Sequence, residues 1–96
     1  MDKQHRYYVY FVSNKNRTTF YVGVTNNLSR RAAEHNEGHG SAFTARYNCN
    51  DLVYYESFSR IDEAITREKG LKNWKREWKL ALIKSVNSEL KTLEPD

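Results

Sequence analysis

Continuous apolar runs along this chain alternate with segments in which apolar residues recur at helical spacing. Residues 7–12 are aromatic or β-branched throughout, which is typical of a strand buried on both faces. Residues 19–24 form a second such run, and the short polar side chains of residues 13–16 favour a turn between the two. The two runs therefore predict an antiparallel hairpin. A third strand is predicted at residues 52–58.

Helical spacing begins after the hairpin and again after the third strand. Asn27 is a good N-cap for a helix that ends at Gly38, and a short helix is expected around residues 41–47. Ser59, with an acidic residue three positions later, predicts the start of another helix. A final helix is expected over residues 76–86. The side chains expected to be buried from this last helix are Trp78, Ala81, Leu82 and Val86.

The resulting order, ββα(α)βαα, predicts an α+β fold in which helices pack against a small three-stranded mixed or antiparallel sheet. A chain of 96 residues has room for one domain, which we place at residues 1–88. Residues 89–96 are expected to form a polar C-terminal tail, frayed from about residue 88. The longest apolar run is too short to span a membrane and residues 1–6 lack the features of a signal peptide, so the cytoplasm is the expected compartment.

The charge balance is basic, with 16 Lys and Arg residues against 12 Asp and Glu residues and a formal net charge of +4. This balance fits an anionic partner such as nucleic acid, and it fits an ordinary soluble surface equally well. Residues 67–79 combine basic side chains with two tryptophans, an arrangement that can hold a phosphate backbone. The basic side chains of this segment are Arg67, Lys69, Lys72, Lys75, Arg76 and Lys79.

Two tyrosines are brought together by the predicted hairpin. Strand alternation places Tyr21 and Gly23 on one face of the second strand, where the glycine is expected to leave the sheet surface open. The hairpin makes Tyr10 and Tyr21 cross-strand or diagonal neighbours. Tyrosine is also simply a good strand residue, so the pattern alone leaves open whether the pair is structural or chemical.

Charged residues at two helical positions also suggest chemistry. Arg31 and His35 lie four residues apart on one helix face, where an arginine fork can bind a phosphate; an ordinary solvated face is the alternative. Glu68 falls on the apolar stripe of its helix, where a carboxylate needs a partner. That partner is either a basic residue in a salt bridge, namely Lys72 or an arginine of the first helix, or a divalent cation.

These positions together resemble the GIY-YIG nuclease superfamily. Residues 8–10 (Tyr-Val-Tyr) are similar to the first motif and residues 21–23 (Tyr-Val-Gly) to the second, with the characteristic ten residues between the motif tyrosines. Tyr8 stands where the motif has glycine, and valines replace both isoleucines. Arg31, His35 and Glu68 fall at further motif positions. Lys72, Trp74 and Trp78 are similar to residues of small stand-alone members related to an excinuclease subunit.

The resemblance implies a metal-dependent endonuclease that hydrolyses nucleic-acid phosphodiester bonds, in DNA rather than RNA, for DNA repair or processing. Glu68 would hold one Mg²⁺ or Mn²⁺ ion, and Arg31 would stabilise charge on the phosphate. Tyr10 would act as general base, Tyr21 would position water or phosphate, and His35 would assist. The expected substrate-binding residues are Gly23, Arg30, Lys72, Lys75 and Arg76.

Two other classes of function stay open at this point. One is a non-catalytic nucleic-acid-binding module on the same scaffold. The other is a protein-interaction domain that uses exposed aromatic residues such as Tyr54 or Tyr55. No membrane partner is expected, and the protein is expected to be a monomer or a weak homodimer.

Overall fold

The computed structural model of this protein describes residues 6–95. Residues 1–5, for which no signal peptide is expected, lie outside the described residues, as does Asp96 of the predicted tail. An antiparallel three-stranded sheet with strand order β2-β1-β3 and four helices form an α+β fold, as predicted. No helix within residues 6–95 is both long and apolar enough to cross a bilayer. The elements are β1 (Tyr7–Ser13), β2 (Phe20–Thr25), α1 (Leu28–Asn36), α2 (Ala42–Tyr47), β3 (Asp51–Phe58), α3 (Ile61–Lys72) and α4 (Arg76–Val86).

The central strand β1 is buried on both faces, as its uninterrupted apolar run predicted. Val9 and Phe11 point into one hydrophobic cluster, which α3 and α4 complete with residues such as Leu71 and Ile83. Tyr10 and Val12 point into a second cluster on the opposite face, where α1 packs. The alternation of β1 side chains therefore separates the face covered by α3 and α4 from the face that carries Tyr10.

Strand β3 contains a bulge that changes which aromatic residues are exposed. Phe11 of β1 pairs with Tyr54 and Val12 pairs with Leu52, so Val53 is an extra residue on β3. The bulge lets Val53 and Tyr54 enter the same cluster. The expectation that Tyr54 is exposed is therefore wrong, because its side chain is buried, whereas Tyr55 is exposed.

Helix starts agree with the sequence at α1 but not at α3. The Asn27 side chain accepts a hydrogen bond from the Arg30 amide and caps α1, as predicted. At α3 the N-cap residue is Arg60, which makes no side-chain cap and binds the Asp62 carboxylate instead. The predicted cap at Ser59 is therefore wrong by one residue.

The buried face of α4 is only partly the one expected, since Leu82 packs against the core but Ala81 is exposed. Ile83 is fully buried, while Trp78 is 53% exposed and Val86 is 74% exposed. The side turned to the core includes Lys79, which is half-buried and whose pKa is lowered by burial. A lysine stem can line a helix face as an apolar residue does, which is why the apolar pattern misplaced this face by about one position.

The C-terminal segment is hydrogen-bonded to the domain as far as Leu93, and up to that residue it does not form the frayed tail that was expected. The Leu93 amide donates to the Leu52 carbonyl at 2.7 Å, beside the outer edge of β3. The Arg17 guanidinium donates to the Leu90 carbonyl at 2.9 Å and to Thr92 Oγ1 at 3.0 Å, and it pairs with Asp51 at 2.7 Å. These contacts bind the segment to both the hairpin turn and β3.

Candidate active site

A hydrogen-bonded cluster forms around the hydroxyl of Tyr10 on the α1 side of the sheet. Tyr10 is only 1% exposed. Arg31 Nε donates to the Tyr10 oxygen at 3.1 Å, and His35 Nε2 lies 2.9 Å from the same oxygen. Arg31 and His35 face the same way because they lie one turn apart on α1. The fold thus brings together three of the five residues that the sequence predicted to be catalytic.

Two glycines give this cluster its space. Gly23 pairs directly with Tyr10 across β1 and β2, and a Cβ at Gly23 would collide with the Tyr10 ring. Gly40 lies against the imidazole of His35, and a Cβ there would collide with the ring as well. The expectation of an open surface and a substrate contact at Gly23 is therefore wrong, because the Tyr10 ring covers it. Gly40 was missed, since a loop glycine has no periodic pattern to reveal its contact.

Arg31 donates hydrogen bonds to three protein groups and still has N–H donors for a ligand. Besides Tyr10, its Nη1 donates to Glu34 Oε1 at 2.9 Å and its Nη2 donates to the Gly40 carbonyl at 2.7 Å. An arginine has five N–H donors, so two remain once these three are satisfied within the described residues. The hydrogen bond to Tyr10 raises the pKa of Arg31, and solvent reaches 29% of its side chain. A charged, oriented fork therefore remains accessible.

His35 is neutral in the folded protein. Its pKa is lowered to about 4, first by burial and then by the positive charge of Arg31, which outweighs the opposing effect of Glu34. Its second ring nitrogen, Nδ1, lies 3.2 Å from Thr44 Oγ1 of α2. The imidazole is thus a fixed, uncharged hydrogen-bonding group at pH 7.

Tyr10 does not match the general-base role that the family resemblance implied for it. Burial raises the pKa of Tyr10, and the hydrogen bond and charge of Arg31 oppose this rise without cancelling it. A protonated hydroxyl on a residue that is 1% exposed does not accept a proton readily. These properties favour an orienting contact of Tyr10 with Arg31 and His35 over a general-base role.

Tyr21 is the tyrosine that solvent reaches. It lies diagonal to Tyr10 across the hairpin, because Val12 is its direct partner. Its ring lies between those of His35 and Phe43, with centroids 5.9 Å and 5.7 Å away. Within residues 6–95 its hydroxyl makes no hydrogen bond, and it interacts electrostatically with both Tyr10 and Lys72. Tyr21 therefore interacts with both the Tyr10 cluster and Lys72 of α3.

Glu68 is buried on the core side of α3, as the apolar stripe predicted, with 9% of the residue exposed. Its carboxylate pairs with Lys72 Nζ at 2.7 Å, which is one of the expected salt bridges. This hydrogen bond is the main reason that the pKa of Lys72 is raised. Because the Lys72 side chain is 53% exposed, it can move away and free the carboxylate.

A divalent ion at this position would have one carboxylate ligand from the protein. Within residues 6–95 there is no group of three or more His, Cys, Asp or Glu side chains placed to hold a metal. Mg²⁺ typically keeps several waters and takes one or two carboxylates together with substrate phosphate oxygens. Glu68 alone fits that kind of site, and it does not fit a closed structural metal site.

The predicted substrate-binding basic residues lie at three places along the edge strand β2. Arg30 is exposed and lines an open groove of about 450 Å³ with Arg31 near the end of β2. Lys72 interacts with Tyr21 at the start of β2. Arg76 donates to the Thr18 carbonyl at 2.8 Å, just before the strand, while the neighbouring Lys75 lies over the ring of Trp78.

Comparison with known proteins identifies relatives of similar length, a similar solved structure and a matching family. A UPF0213 protein of Staphylococcus haemolyticus is 40% identical over 78 residues, covering 81% of this chain and 94% of the relative. A UPF0213 protein of Clostridium perfringens is 40% identical over 84 residues, covering 85% of this chain and 89% of the relative. The solution NMR structure of a UPF0213 protein from Bacillus halodurans has a TM-score of 0.56 and 27% identity, over 88% of both chains. The profile of the GIY-YIG catalytic domain matches residues 6–81, and the chain therefore belongs to the GIY-YIG family.

Proposed function

We propose that this protein is a metal-dependent endonuclease that hydrolyses phosphodiester bonds in nucleic acid, DNA rather than RNA, in DNA repair or processing. The observation that carries the proposal is the buried cluster of Tyr10, Arg31 and His35, with Gly23 and Gly40 making room for it. Buried polar groups are costly compared with apolar packing, so the fold alone gives no reason to keep them. A preorganised charge beside a solvent-facing tyrosine is what phosphoryl chemistry needs.

Arg31 and Tyr21 would contact the reacting groups. The two free N–H donors of Arg31 match a pair of phosphate oxygens, so the guanidinium would bind the scissile phosphate and stabilise its developing charge. Tyr21, whose hydroxyl faces solvent, would hydrogen-bond the attacking water. Tyr10 and His35 would keep Arg31 in one orientation throughout.

Glu68 would hold one Mg²⁺ or Mn²⁺ ion. When bound, the ion would supply positive charge that polarises the scissile phosphate and stabilises the leaving oxygen. Lys72 would release the carboxylate when the ion binds, and its ammonium would then be free to pair with the phosphate backbone. Tyr21 interacts electrostatically with both Tyr10 and Lys72, and a phosphate bound beside Tyr21 would be held between Arg31 and the ion on Glu68.

The nucleic-acid backbone would run along the outer edge of β2. Arg30 lines a groove at the end of this strand, Arg76 binds the Thr18 carbonyl before it, and Lys72 interacts electrostatically with Tyr21, so a backbone along β2 would meet all three charges. Such contacts supply affinity that is independent of sequence and is weakened by salt. Each chain carries one candidate site, so a monomer would cut one strand per encounter.

A cleavage assay tests the proposal. Labelled single-stranded, duplex and branched DNA, and a single-stranded RNA, are incubated with the purified protein in Mg²⁺, in Mn²⁺ or in EDTA. We expect cleavage of at least one DNA substrate that requires the metal. Absence of cleavage of every substrate under all three conditions, with salt-dependent binding, would overturn the proposal.

That second outcome corresponds to a non-catalytic nucleic-acid-binding module, and one observation favours it. The Glu68 carboxylate is already paired with Lys72 Nζ at 2.7 Å. Metal binding at Glu68 would require Lys72 to move away, whereas binding of a nucleic-acid backbone by Arg30, Lys75 and Arg76 requires no change at Glu68.

A further inference from the structure

The hydrogen-bond donors and acceptors around the Tyr10 hydroxyl determine the direction in which its proton points. Arginine has donors only, so the Tyr10 oxygen must accept the hydrogen bond from Arg31 Nε. The Tyr10 hydroxyl is buried, and a buried hydroxyl proton requires an acceptor of its own. Among the described residues, His35 Nε2 at 2.9 Å is the acceptor within reach. The Tyr10 O–H therefore donates to His35.

This direction fixes the tautomer of the imidazole. A neutral imidazole carries one proton, so an accepting Nε2 requires the proton to be on Nδ1. The low pKa of His35, caused by burial, supports the neutral form. The Nδ1–H then needs an acceptor, and Thr44 Oγ1 lies 3.2 Å away. Thr44 can accept because its own hydroxyl donates to the Ser41 carbonyl at 3.2 Å.

Helix α2 holds Thr44 in place for this contact. Thr44 is 1% exposed and is the buried residue of a six-residue helix. Ser41 caps that helix by accepting from the Thr44 amide at 3.1 Å, and its hydroxyl also lies 3.0 Å from Thr44 Oγ1. Ser41 therefore supplies both the side-chain oxygen that accepts from the Thr44 amide and the carbonyl that accepts from the Thr44 hydroxyl.

We propose that Thr44 is a positioning residue that holds His35 in its Nδ1–H form and so directs the Tyr10 hydroxyl proton toward the imidazole. With the other tautomer, His35 would present a donor to the Tyr10 oxygen, which Arg31 already occupies with a donor. The Tyr10 proton would then lose its acceptor and the orientation of Arg31 would loosen. The catalytic consequence rests on the proposed function, whereas the tautomer is a property of the folded chain alone.

The test compares Thr44→Val, which keeps the shape and removes the acceptor, with Thr44→Ser, which restores it. Imidazole ¹⁵N chemical shifts report which ring nitrogen is protonated. We expect wild type and Thr44→Ser to be protonated at Nδ1, and Thr44→Val to shift toward the Nε2–H form. Single-turnover cleavage should fall about 10–100-fold in Thr44→Val, as expected when a group that orients a histidine is removed, and recover in Thr44→Ser.

The possible outcomes separate this proposal from the proposed function. A wild-type imidazole protonated at Nε2, or a Thr44→Val spectrum identical to wild type, would overturn the role of Thr44. The wild-type spectrum decides the tautomer even if Thr44→Val fails to fold. The expected tautomer shift in a protein that cleaves no nucleic acid would support the role of Thr44 and overturn the endonuclease.

Discussion

Gly23 of β2 lies directly opposite Tyr10 of β1, and the Tyr10 ring occupies the space in which any larger residue at position 23 would place its Cβ. The glycine of the second motif and the tyrosine of the first motif therefore pack directly against each other. The hydroxyl held in this way is the same one that receives Arg31 and His35. Packing at Gly23 and the chemistry at Arg31 are thus connected through a single side chain.

Replacement of Gly23 by alanine is expected to destabilise the protein. The added methyl group would push the Tyr10 ring out of its rotamer, and overpacking of this kind typically costs about 1–3 kcal/mol. Gly70→Ala is the matched control, because nothing lies within 4 Å of its added Cβ, and it should stabilise α3 by roughly 0.5–1 kcal/mol. Urea unfolding of both variants measures these changes; equal effects in the two would contradict the packing of Tyr10 on Gly23.

Stability should depend on pH through His35. Its pKa is about 4 in the folded protein and would rise to its ordinary value near 6.5 on unfolding. Between these values the unfolded chain binds a proton that the native protein does not, so the free energy of unfolding falls as the pH decreases from 6.5 toward 4. The full contribution, roughly 3 kcal/mol, is present at pH 7.

The variant His35→Gln isolates this effect, because all other titrating groups are unchanged. Denaturant unfolding between pH 5 and 7 should show a shallower pH dependence in the variant than in wild type. The same slope in both proteins would mean that His35 is not the neutral, buried group described above.

Tyr10 and Tyr21 should respond differently to removal of their hydroxyl groups. Tyr10→Phe leaves Arg31 Nε and His35 Nε2 without a partner, which typically costs about 1–3 kcal/mol of stability. Tyr21→Phe loses no described hydrogen bond and should change stability by no more than about 0.5 kcal/mol. Its cleavage rate should nevertheless fall about 10²–10⁴-fold. Thermal melts and single-turnover rates of both variants give the comparison, and full activity of Tyr21→Phe would refute its contact with water.

Substitutions of the adjacent residues Arg30 and Arg31 should distinguish a role in binding from a role in catalysis. Arg31→Ala is expected to lower kcat about 10²–10³-fold, since it removes a preorganised charge from the phosphate. Arg30, which is exposed, should contribute only to affinity, so Arg30→Ala should raise KM and reduce the salt dependence of binding by about one ion. An unchanged kcat with a raised KM in Arg31→Ala would make Arg31 a binding residue instead.

Local pattern was enough to predict the sheet faces and much of the site. Strand alternation separated Val9 from Tyr10, and the helical repeat placed Arg31 with His35 and put Glu68 on the buried side of α3. Each of these features depends on a period of two or 3.6 residues, which the sequence carries directly. The resemblance to the family then identified which of those residues to combine.

Contacts between distant segments could not be predicted in this way. Gly40 and Thr44 act on His35 from a loop and a short helix with no repeat, so no local signal pointed to them. The packed segment near Leu93 depends on a backbone bond to β3, and Tyr54 is buried because of a bulge. Such features depend on which distant segments pack against each other, and the periodic patterns of a single sequence do not reveal this.

Cleavage by Glu68→Gln compared with Glu63→Gln tests the metal-dependent nuclease most directly. Both changes remove one negative charge from α3, but Glu63 is exposed on the first turn whereas Glu68 is buried on the core side. In Mg²⁺ we expect wild type and Glu63→Gln to cut a labelled DNA at equal rates, and Glu68→Gln to cut no faster than wild type in EDTA. A folded Glu68→Gln protein that cuts at the wild-type rate in Mg²⁺ would contradict the proposed role of Glu68 and with it the proposed mechanism.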